Sequence, residues 1–330
     1  MTRYAPILIT VLLILTSSTA ALSQEEKRDK MTVVFSSSTA TQAAIWLTND
    51  AGLFEKNGLN VNLVSIRSSS MSLQTLLSGQ VNLLHAGGAT VVDAQLAGAD
   101  LVMIAGSIRE FVFQIFAKPE IQKMEDLRGK IVGVSRFGSN SDYAVRFALS
   151  HFGLTPGKDV TLLQAGGSAE TLAAIFSNRL DAGAFTAPET IQARKAKLRM
   201  ILDISKLQAN FPFNAVIVTR AYLTNNQEPL RKFMKAYAEG ISVGKKDKAF
   251  TKKVLAKYMR TQDPEILEES YEWIVKEIIP QVPYPPVQGI KTLLDASTNP
   301  KAKSIKPESL VDDRLVRELD QSGFIKSLYK

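Results

Sequence analysis

The chain has 330 residues, 45% hydrophobic and 22% charged, which is enough apolar sequence for one large domain or two of ordinary size. The formal net charge is +8, but the basic residues are scattered, and we interpret the densest run, residues 245–257, as a solvated helix face rather than a nucleic-acid surface. Cysteine is absent and only two histidines occur, which excludes disulfides, thiolate metal sites and a cysteine nucleophile and disfavours histidine-based catalysis.

The first 23 residues predict a cleaved secretory signal peptide. Arg3 precedes an apolar core of 11 residues, "APILITVLLIL", and Ala21 and Ser23 stand at the −3 and −1 positions of a cleavage site. This core is too short to span a bilayer, and no later stretch reaches 18 apolar residues. We therefore expect a soluble protein that is exported to the periplasm and cleaved near Ser23.

Two stretches of the chain share one pattern at a constant offset of 99 residues. Residues 32–42 match residues 131–141, residues 73–82 match residues 172–181, and the apolar positions agree without a gap from Thr32 to Met103. Each copy alternates short apolar runs with helical spacings. This alternation predicts an α/β fold with two lobes, each a mostly parallel sheet flanked by helices.

The sequence after Asp203 departs from the repeat. Residues 215–218, "AVIV", predict a strand without a counterpart, and the chain is mostly helical from Asn226 onward. Because this part follows the second lobe, we expect it to return and pack on the first. The prediction is therefore a first lobe of residues 31–115 and 220–330 and a second lobe of residues 116–219. Crossings near 111–118 and 213–219 would form a two-segment hinge.

The predicted strands end in loops that suit a ligand site. In open parallel sheets, ligands bind beyond the carboxyl ends of the strands. Six such loops are rich in glycine, serine, threonine or alanine, and each leads into a helix whose first N–H groups are unpaired. Taken singly, each loop could be no more than a helix cap, but together they predict a shared cleft. The loops are residues 36–41, 66–70, 86–90, 137–141, 165–169 and 186–190.

Candidate ligand contacts come from these loops and their edges. An arginine there could clamp a carboxylate or a sulfonate with two hydrogen bonds, and a phenylalanine could cover a ring or an alkyl chain. None of the loops has the spacing of a nucleotide-binding motif, so a nucleotide cofactor has little support. With no cysteine and only two histidines, we expect no cofactor, no metal and no catalytic residue. We interpret His85 as a buried neutral histidine. The candidates are Ser38, Thr39, Ala40, Arg67, Gly87, Gly88, Thr90, Arg109, Phe137, Ser139, Asn140, Ser141, Gly167, Ser168 and Glu189.

Four segments resemble a known family: "WLTNDAGLFEKNGLNVNLV" (46–64), "LLSGQVNLLHAGGAT" (76–90), "DLRGKIVGVSRFGSNSDY" (126–143) and "LAAIFSNRLDAGAFTAPE" (172–189). They are similar to the nitrate/sulfonate/taurine-type substrate-binding proteins of bacterial ABC transporters, whose superfamily includes thiamine-pyrimidine-synthase-like proteins. The resemblance covers nearly all of the mature chain. It implies a two-lobed periplasmic-binding-protein fold of the type II kind, which closes on one small molecule and delivers it to a membrane permease. It also implies a non-enzymatic monomer that contacts the membrane only through the permease. Many relatives carry a lipidated cysteine, and its absence here predicts a freely diffusing form.

The identity of the ligand stays open at this point. The net positive charge and the loop composition favour a small anion, such as a sulfonate or a carboxylate, over a pyrimidine, a thiamine precursor or a neutral compound. A pyrimidine synthase of this superfamily would need a cysteine-rich motif, which the chain lacks. An enzyme similar to the chorismate dehydratases would need only a carboxylate in the cleft, but the signal peptide argues against a usually cytoplasmic enzyme. A ligand sensor for a receptor kinase would have the same sequence features as a transport protein.

Overall fold

The structure, a computed structural model, describes residues 28–297 and 299–330, and the predicted signal peptide lies outside these residues. Its strands are β1 Asp29–Phe35, β2 Leu59–Ser65, β3 Leu83–Ala86, β4 Leu101–Glu110, β5 Gln114–Ala117, β6 Ile131–Val134, β7 Thr161–Gln164, β8 Ala182–Phe185, β9 Arg199–Asp203 and β10 Asn210–Thr219.

The helices surround these strands and fill the carboxyl-terminal third of the chain. The α-helices are α1 Ala43–Asp50, α2 Leu53–Lys56, α3 Ser69–Leu77, α4 Ala89–Leu96, α5 Asn140–His151, α6 Ser168–Phe176, α7 Glu189–Lys195, α8 Arg220–Asn225, α9 Gln227–Lys246, α10 Lys248–Met259, α11 Pro264–Glu269, α12 Val287–Ala296, α13 Arg314–Gln321 and α14 Phe324–Ser327. A π-helix, Ser270–Ile278, continues α11, and short 3-10 helices span Ala40–Gln42, Met124–Leu127, Ile204–Leu207, Pro300–Ser304 and Pro307–Leu310.

Two five-stranded sheets with the same strand pattern form the two lobes. The first has the order β2-β1-β3-β10-β4, and the second has the order β7-β6-β8-β5-β9. In each sheet the fourth strand, β10 or β5, runs antiparallel to both neighbours, so the other four run in one direction. The prediction of two mostly parallel α/β lobes is confirmed.

The internal repeat is also confirmed by the element boundaries. Helix α3 and helix α6 begin and end 99 residues apart, at Ser69–Leu77 and Ser168–Phe176. Strands β3 and β8 keep the same offset, at Leu83–Ala86 and Ala182–Phe185. The repeat therefore reports two lobes with the same topology rather than a chance similarity of patterns.

The two sheets exchange one strand each. Strand β5 follows β4 of the first sheet but pairs in the second, whereas β10 follows β9 of the second sheet and pairs in the first. Residues 215–218 thus have a counterpart in β5, which the sequence comparison missed because β5 lies outside the aligned repeat. The ladder of β10 with β4 begins at Asn210, just before the predicted second crossing near 213–219. The exact limits of the lobes and the hinge remain predictions.

Aromatic rings pack together where the chain crosses between the sheets. The rings of Phe111 and Phe211 stack with their centroids 4.0 Å apart, and those of Phe113 and Phe213 lie 5.1 Å apart. These residues belong to one apolar cluster that also contains buried side chains of both sheets, such as Val33 and Val132. The hydrophobic core is therefore continuous through the crossings.

The carboxyl-terminal helices return to the first lobe, as the sequence predicts. Helix α9 packs on α1 and α2, and α12 packs on β10. Asp247 and Asp263 start α10 and α11, because their carboxylates accept hydrogen bonds from the first N–H groups of each helix. In the basic run 245–257, Lys248 and Lys252 form ion pairs with Glu268. Within the described residues, every helix is too short or too polar to span a membrane.

The close contact between α9 and α1 depends on a glycine. A Cβ atom on Gly240 would lie 2.8 Å from the backbone Cα of Thr48. We therefore expect Gly240→Ala to lower the free energy of unfolding by about 1–3 kcal/mol, because the helices must separate. Urea denaturation measures this change, and Glu228→Gln at an exposed position of α9 should change the value by less than about 0.5 kcal/mol. Equal stability of Gly240→Ala and the unmodified protein would contradict this account of the contact.

Candidate functional site

A cavity of about 790 Å³ lies between the carboxyl ends of the parallel strands of the two sheets. This size is typical of small-molecule sites. Five of the six predicted loops contribute to its wall, namely those after β1, β2, β6, β7 and β8. The cavity therefore lies beyond the carboxyl ends of the strands, where the sequence analysis predicted a ligand site.

The structure brings nine of the fifteen candidate residues together on the wall and leaves six elsewhere. On the wall are Ser38, Thr39, Arg67, Ser139, Asn140, Ser141, Gly167, Ser168 and Glu189. Away from it are Ala40, Gly87, Gly88, Thr90, Arg109 and Phe137.

The loop after β3 is covered by other parts of the protein, so its three candidates do not line the cavity. The N–H of Gly88 donates to the carbonyl of Pro212 in the exchanged strand β10, at 2.8 Å. A Cβ on Gly87 would lie 2.2 Å from Oδ1 of Asn140, which covers this glycine from the second lobe. The hydroxyl of Thr90 caps the carbonyl of Gly87 at 2.7 Å. Gly87 thus permits a close approach of the lobes instead of contacting a ligand.

The other three candidates point away for separate reasons. Ala40 is fully buried, and its N–H donates to the carbonyl of Ala187 in the other lobe at 3.5 Å. Arg109 is exposed near the end of β4, which is an edge strand of the first sheet. The ring of Phe137 is 47% exposed and lies under the guanidinium of Arg146, 5.7 Å from it.

Matching rows of hydroxyl groups line the two halves of the cavity. In the first lobe, Thr39 Oγ1 lies 3.1 Å from Ser37 Oγ and 2.8 Å from Thr41 Oγ1. In the second lobe, Ser135 Oγ donates to Ser139 Oγ at 2.7 Å and lies 3.0 Å from Ser141 Oγ. The first row lies just before α1, and the second lies at the start of α5. The same sequence pattern has therefore produced the same polar surface in both lobes.

A buried histidine supports the wall from behind. The imidazole of His85 contacts Gln42 Oε1 through Nδ1 and Tyr237 Oη through Nε2, the latter at 2.8 Å. Gln42 lines the cavity and donates through Nε2 to Ser36 Oγ at 3.3 Å. Complete burial lowers the pKa of His85 to about 3, so its side chain is neutral. The interpretation of His85 as a structural, neutral residue is confirmed.

Three arginines and two glutamates supply the charges on the wall. Arg67 of the first lobe pairs with Glu170 of the second, and both side chains are largely exposed. Arg136 and Arg260 form no ion pair with any described residue. The wall therefore retains two cationic groups that are available to a ligand.

Glu189 is the unusual charge, because it is buried and its carboxyl is incompletely paired. Only 6% of the residue is exposed, and Oε2 is buried without a hydrogen-bond partner among the described residues. The pKa of Glu189 is raised to about 7, mainly by burial; the N–H of Glu189 itself lowers it, and the nearby charge of Glu170 raises it. This carboxyl is therefore half-protonated near neutral pH.

The sequence did not identify several residues on the wall. Phe113 and Phe213 lie there because they belong to the crossing segments, whose predicted role was only to connect the lobes. Met259 and Arg260 come from the end of α10, where Arg260 caps the helix with a left-handed backbone (φ 54°). No local signal marks these two residues, since only the return of the helical segment onto the first lobe brings them to the cavity.

Among the described residues, no group of three or more histidine, aspartate or glutamate side chains is arranged to hold a metal ion. The chemistry available on the wall is hydrogen bonding from hydroxyl, amide and backbone groups, together with the charges described above. Such a wall suits recognition of a small polar molecule.

Comparison with known proteins agrees with this architecture. The chain is 22% identical over 265 residues to the putative binding protein YtlA of Bacillus subtilis, covering 78% of this chain and 79% of that protein. Its fold is similar to that of the alkanesulfonate-binding protein SsuA of Xanthomonas axonopodis, solved with MOPS bound, with a TM-score of 0.72 and 19% identity over 87% of this chain and 99% of the other. It is also similar to the periplasmic nitrate-binding protein NrtA of Synechocystis, with a TM-score of 0.76 and 14% identity over 92% and 91%.

Two lobes that exchange strands around a central cavity define the class of periplasmic-binding-protein folds. Residues 40–247, more than half of the chain, match the family described as NMT1/THI5 like. The protein belongs to this family, and the resemblance drawn from the sequence is confirmed.

The raised pKa of Glu189 predicts how the stability of the ligand-free protein changes with pH. Because the folded protein binds this proton more tightly than the unfolded chain, the free energy of unfolding falls as the pH rises from 4.5 to about 7. The contribution is on the order of 3 kcal/mol. We expect Glu189→Gln to remove this loss and to be more stable than the unmodified protein at pH 8.

Urea denaturation at pH 5 and pH 8 measures the effect. Glu318→Gln, outside the cavity on an exposed part of α13, is the matched control and should keep the pH dependence of the unmodified protein. If the free energy of unfolding of Glu189→Gln and of the unmodified protein falls by the same amount from pH 5 to pH 8, the prediction is wrong. The carboxyl of Glu189 would then be ionised in the folded state.

Proposed function

We propose that this protein is a periplasmic solute-binding protein that captures a small anionic organic molecule and delivers it to an ABC permease. The sulfonate or carboxylate class proposed from the sequence is retained. The observation that carries this proposal is the cavity between the strand ends of both lobes, whose wall is polar and lies where such folds bind ligands. The similar folds of the alkanesulfonate-binding protein SsuA and the nitrate-binding protein NrtA agree with an anionic ligand.

The electrostatics of the wall favour an anion. Arg136 and Arg260 supply two positive charges that no described carboxylate neutralises. Each guanidinium can donate two parallel hydrogen bonds to a carboxylate or a sulfonate. The start of α5, next to the hydroxyl row of Ser139 and Ser141, adds unpaired N–H groups and the positive end of the helix dipole. We propose that the nine candidate residues on the wall contact the ligand together with these arginines.

Closure of the lobes would trap the ligand. Arg67 and Glu170 connect the lobes at the cavity, and Asn140 Nδ2 donates to the carbonyl of Phe213 at 2.7 Å. We propose that the pair of Arg67 and Glu170 forms only when the lobes lie close together, whereas the two crossing segments connect the lobes throughout the movement. A ligand that bridges both walls would therefore favour the closed arrangement, in the hinge movement of periplasmic binding proteins.

One observation favours a second candidate function. The dehydratase alternative requires a carboxylate in the cleft, and Glu189 is a buried carboxyl on the cavity wall whose pKa lies at about 7. A carboxylate of this kind is suited to act as a general base. The chain would then be a lyase rather than a binding protein. This alternative would be established if mass spectrometry over hours showed that the protein converts a bound acid to a product.

Ligand identification is the first test. We expect native mass spectrometry of the freshly purified protein, or a thermal-shift screen of sulfonates, carboxylates and pyrimidines, to find an acid that binds without being consumed. Small-angle scattering should then show a smaller radius of gyration with the acid bound. A pyrimidine as the only hit would contradict the anionic class, and a screen without any hit would contradict the binding function. A permease and an ATPase encoded beside this protein would support transport over sensing.

Truncation of the wall should weaken binding of that acid. We expect Ser139→Ala and Asn140→Ala each to raise the Kd about threefold to tenfold, because each removes a neutral hydrogen-bonding group. Ser150→Ala, at an exposed position of the same helix α5, is the matched control and should leave the Kd unchanged. Isothermal titration calorimetry measures the three values. Unchanged affinity in both wall variants would show that the ligand binds elsewhere.

A further inference from the structure

A group of exposed ion pairs joins helix α7 to helix α11 outside the cavity. At the end of α7, Arg194 pairs with Glu269. Beside it, Lys195 Nζ pairs with the carboxylate of Asp263 and lies 3.0 Å from Glu265 Oε2. Glu265 and Glu269 lie on α11, and Asp263 is the residue that caps it. Two cations at the end of one helix therefore meet three carboxylates of the other.

The two helices belong to different lobes. Helix α7 connects β8 to β9 and packs on α6, β5 and β9, which are all elements of the second lobe. Helix α11 packs on α10 and on the π-helix, and these two pack on α9, the long helix of the first lobe. The chain between α7 and α11 includes a crossing between the sheets and the whole of α9, so no short connection forces the two helices together. Their contact therefore depends on the angle between the lobes.

The acidic side of this contact is held in place by the fold. Asp263 Oδ1 accepts hydrogen bonds from the N–H groups of Glu265 and Ile266 at 3.0 and 3.3 Å, which leaves Oδ2 for Lys195. The hydrogen bond from Lys195 is the main cause that lowers the pKa of Asp263, and the bond to Asp263 is the main cause that raises the pKa of Lys195. An isolated exposed ion pair contributes little, but charges that share partners in a network contribute more.

The ion pairs lie on the same two elements that supply opposite parts of the cavity wall. Helix α7 begins at Glu189, which lines the cavity, and Arg194 lies five residues further on, about 7.5 Å along the helix. Arg260 at the end of α10 also lines the cavity, and Asp263 follows three residues later. Because each element runs from the wall to the ion pairs, an opening of the cavity on this side would pull the opposite charges apart.

We propose that α7 and α11 form an ionic latch, which consists of Arg194 and Lys195 with Asp263, Glu265 and Glu269, and that this latch favours the closed arrangement of the lobes before any ligand is bound. A ligand that binds the closed arrangement then binds with an apparent affinity in proportion to the closed population. Because the side chains are largely exposed, salt screens the latch and shifts the protein towards the open arrangement. This inference rests on the hinge movement of the proposed function and is independent of the ligand class.

Spin labels on the two lobes test the latch in the absence of a ligand. The chain has no cysteine, so labels attach only to Ser78→Cys in the first lobe and Ser177→Cys in the second, which are exposed and equivalent positions of the repeat. Pulsed electron paramagnetic resonance gives the distribution of distances between the labels, at about 20 mM and about 500 mM sodium chloride. Circular dichroism checks that each labelled protein is folded.

Charge exchange distinguishes the ion pairs from other effects of a substitution. Arg194→Glu places a negative charge against the carboxylates of α11, whereas Arg194→Glu combined with Glu269→Arg restores an ion pair in the reverse order. Lys158→Glu is the matched control, because it makes the same change in net charge as Arg194→Glu, at an exposed position of the second lobe between α5 and β7.

We expect the ratio of closed to open protein at low salt to fall about threefold to tenfold in Arg194→Glu, because the latch is broken. The longer distances between the labels should then gain population. High salt should produce the same change in the unmodified protein and little further change in Arg194→Glu. The double exchange should return the distribution to that of the unmodified protein, and Lys158→Glu should leave it unchanged.

Two results would overturn the latch. One is the same distribution of distances in the unmodified protein and in Arg194→Glu at both salt concentrations. The other is a shift in Arg194→Glu that the double exchange does not reverse, since the shift would then arise from something other than the ion pair. Both results leave the proposed function intact, because the ligand screen tests it separately. A screen without any hit would contradict the binding function, and the spin labels would still decide whether the latch exists.

Discussion

The exchange of one strand between the two sheets is the constraint on which the rest of the structure depends. Strands β5 and β10 are the only antiparallel strands of their sheets among the described residues, and each enters from the opposite lobe. The chain must therefore cross twice at one place, where Phe111 stacks on Phe211 and Phe113 contacts Phe213. Because β5 and β10 each pair with a strand on both sides, the two crossings tie the lobes together. The parallel strands of both sheets are thereby held with their carboxyl ends around one cavity.

This arrangement explains why one sequence pattern appears on both sides of the cavity. A hydroxyl-rich loop followed by a helix occurs after β1 and again after β6, and the rows that contain Thr39 and Ser139 face the same space. The symmetry ends at the loops after β3 and β8. In the first lobe, the exchanged strand covers Gly88 and Asn140 covers Gly87, whereas in the second lobe the equivalent loop stays open and carries Glu189. Related loops have thus acquired different roles, one in contact between the lobes and the other on the wall.

The sequence was sufficient for the topology and for most of the wall, because both follow from local patterns. The repeat predicted two similar lobes, and strand-end loops predicted where residues such as Ser139 and Gly167 would lie. What it could not predict depends on contacts between distant segments. Strand β5 lies outside the aligned repeat, so the sequence did not reveal it as the counterpart of residues 215–218. Arg260 reaches the cavity only through the packing of the helical segment. Nor does the sequence reveal that Glu189 Oε2 has no partner, since this depends on where every neighbouring donor points.

An incompletely paired carboxyl in a binding cavity has a consequence for how the protein would work. Part of the free energy gained when Glu189 acquires a donor only offsets the unfavourable burial that already exists in the empty protein. A ligand that lacks such a donor would leave that burial uncorrected, so Glu189 would discriminate between ligands more strongly than it would raise the affinity for the right one. The exposed ion pair of Arg67 and Glu170 contributes little free energy by itself, so under the proposed closure the contacts of the ligand, together with the proposed ionic latch, would determine whether the lobes stay together.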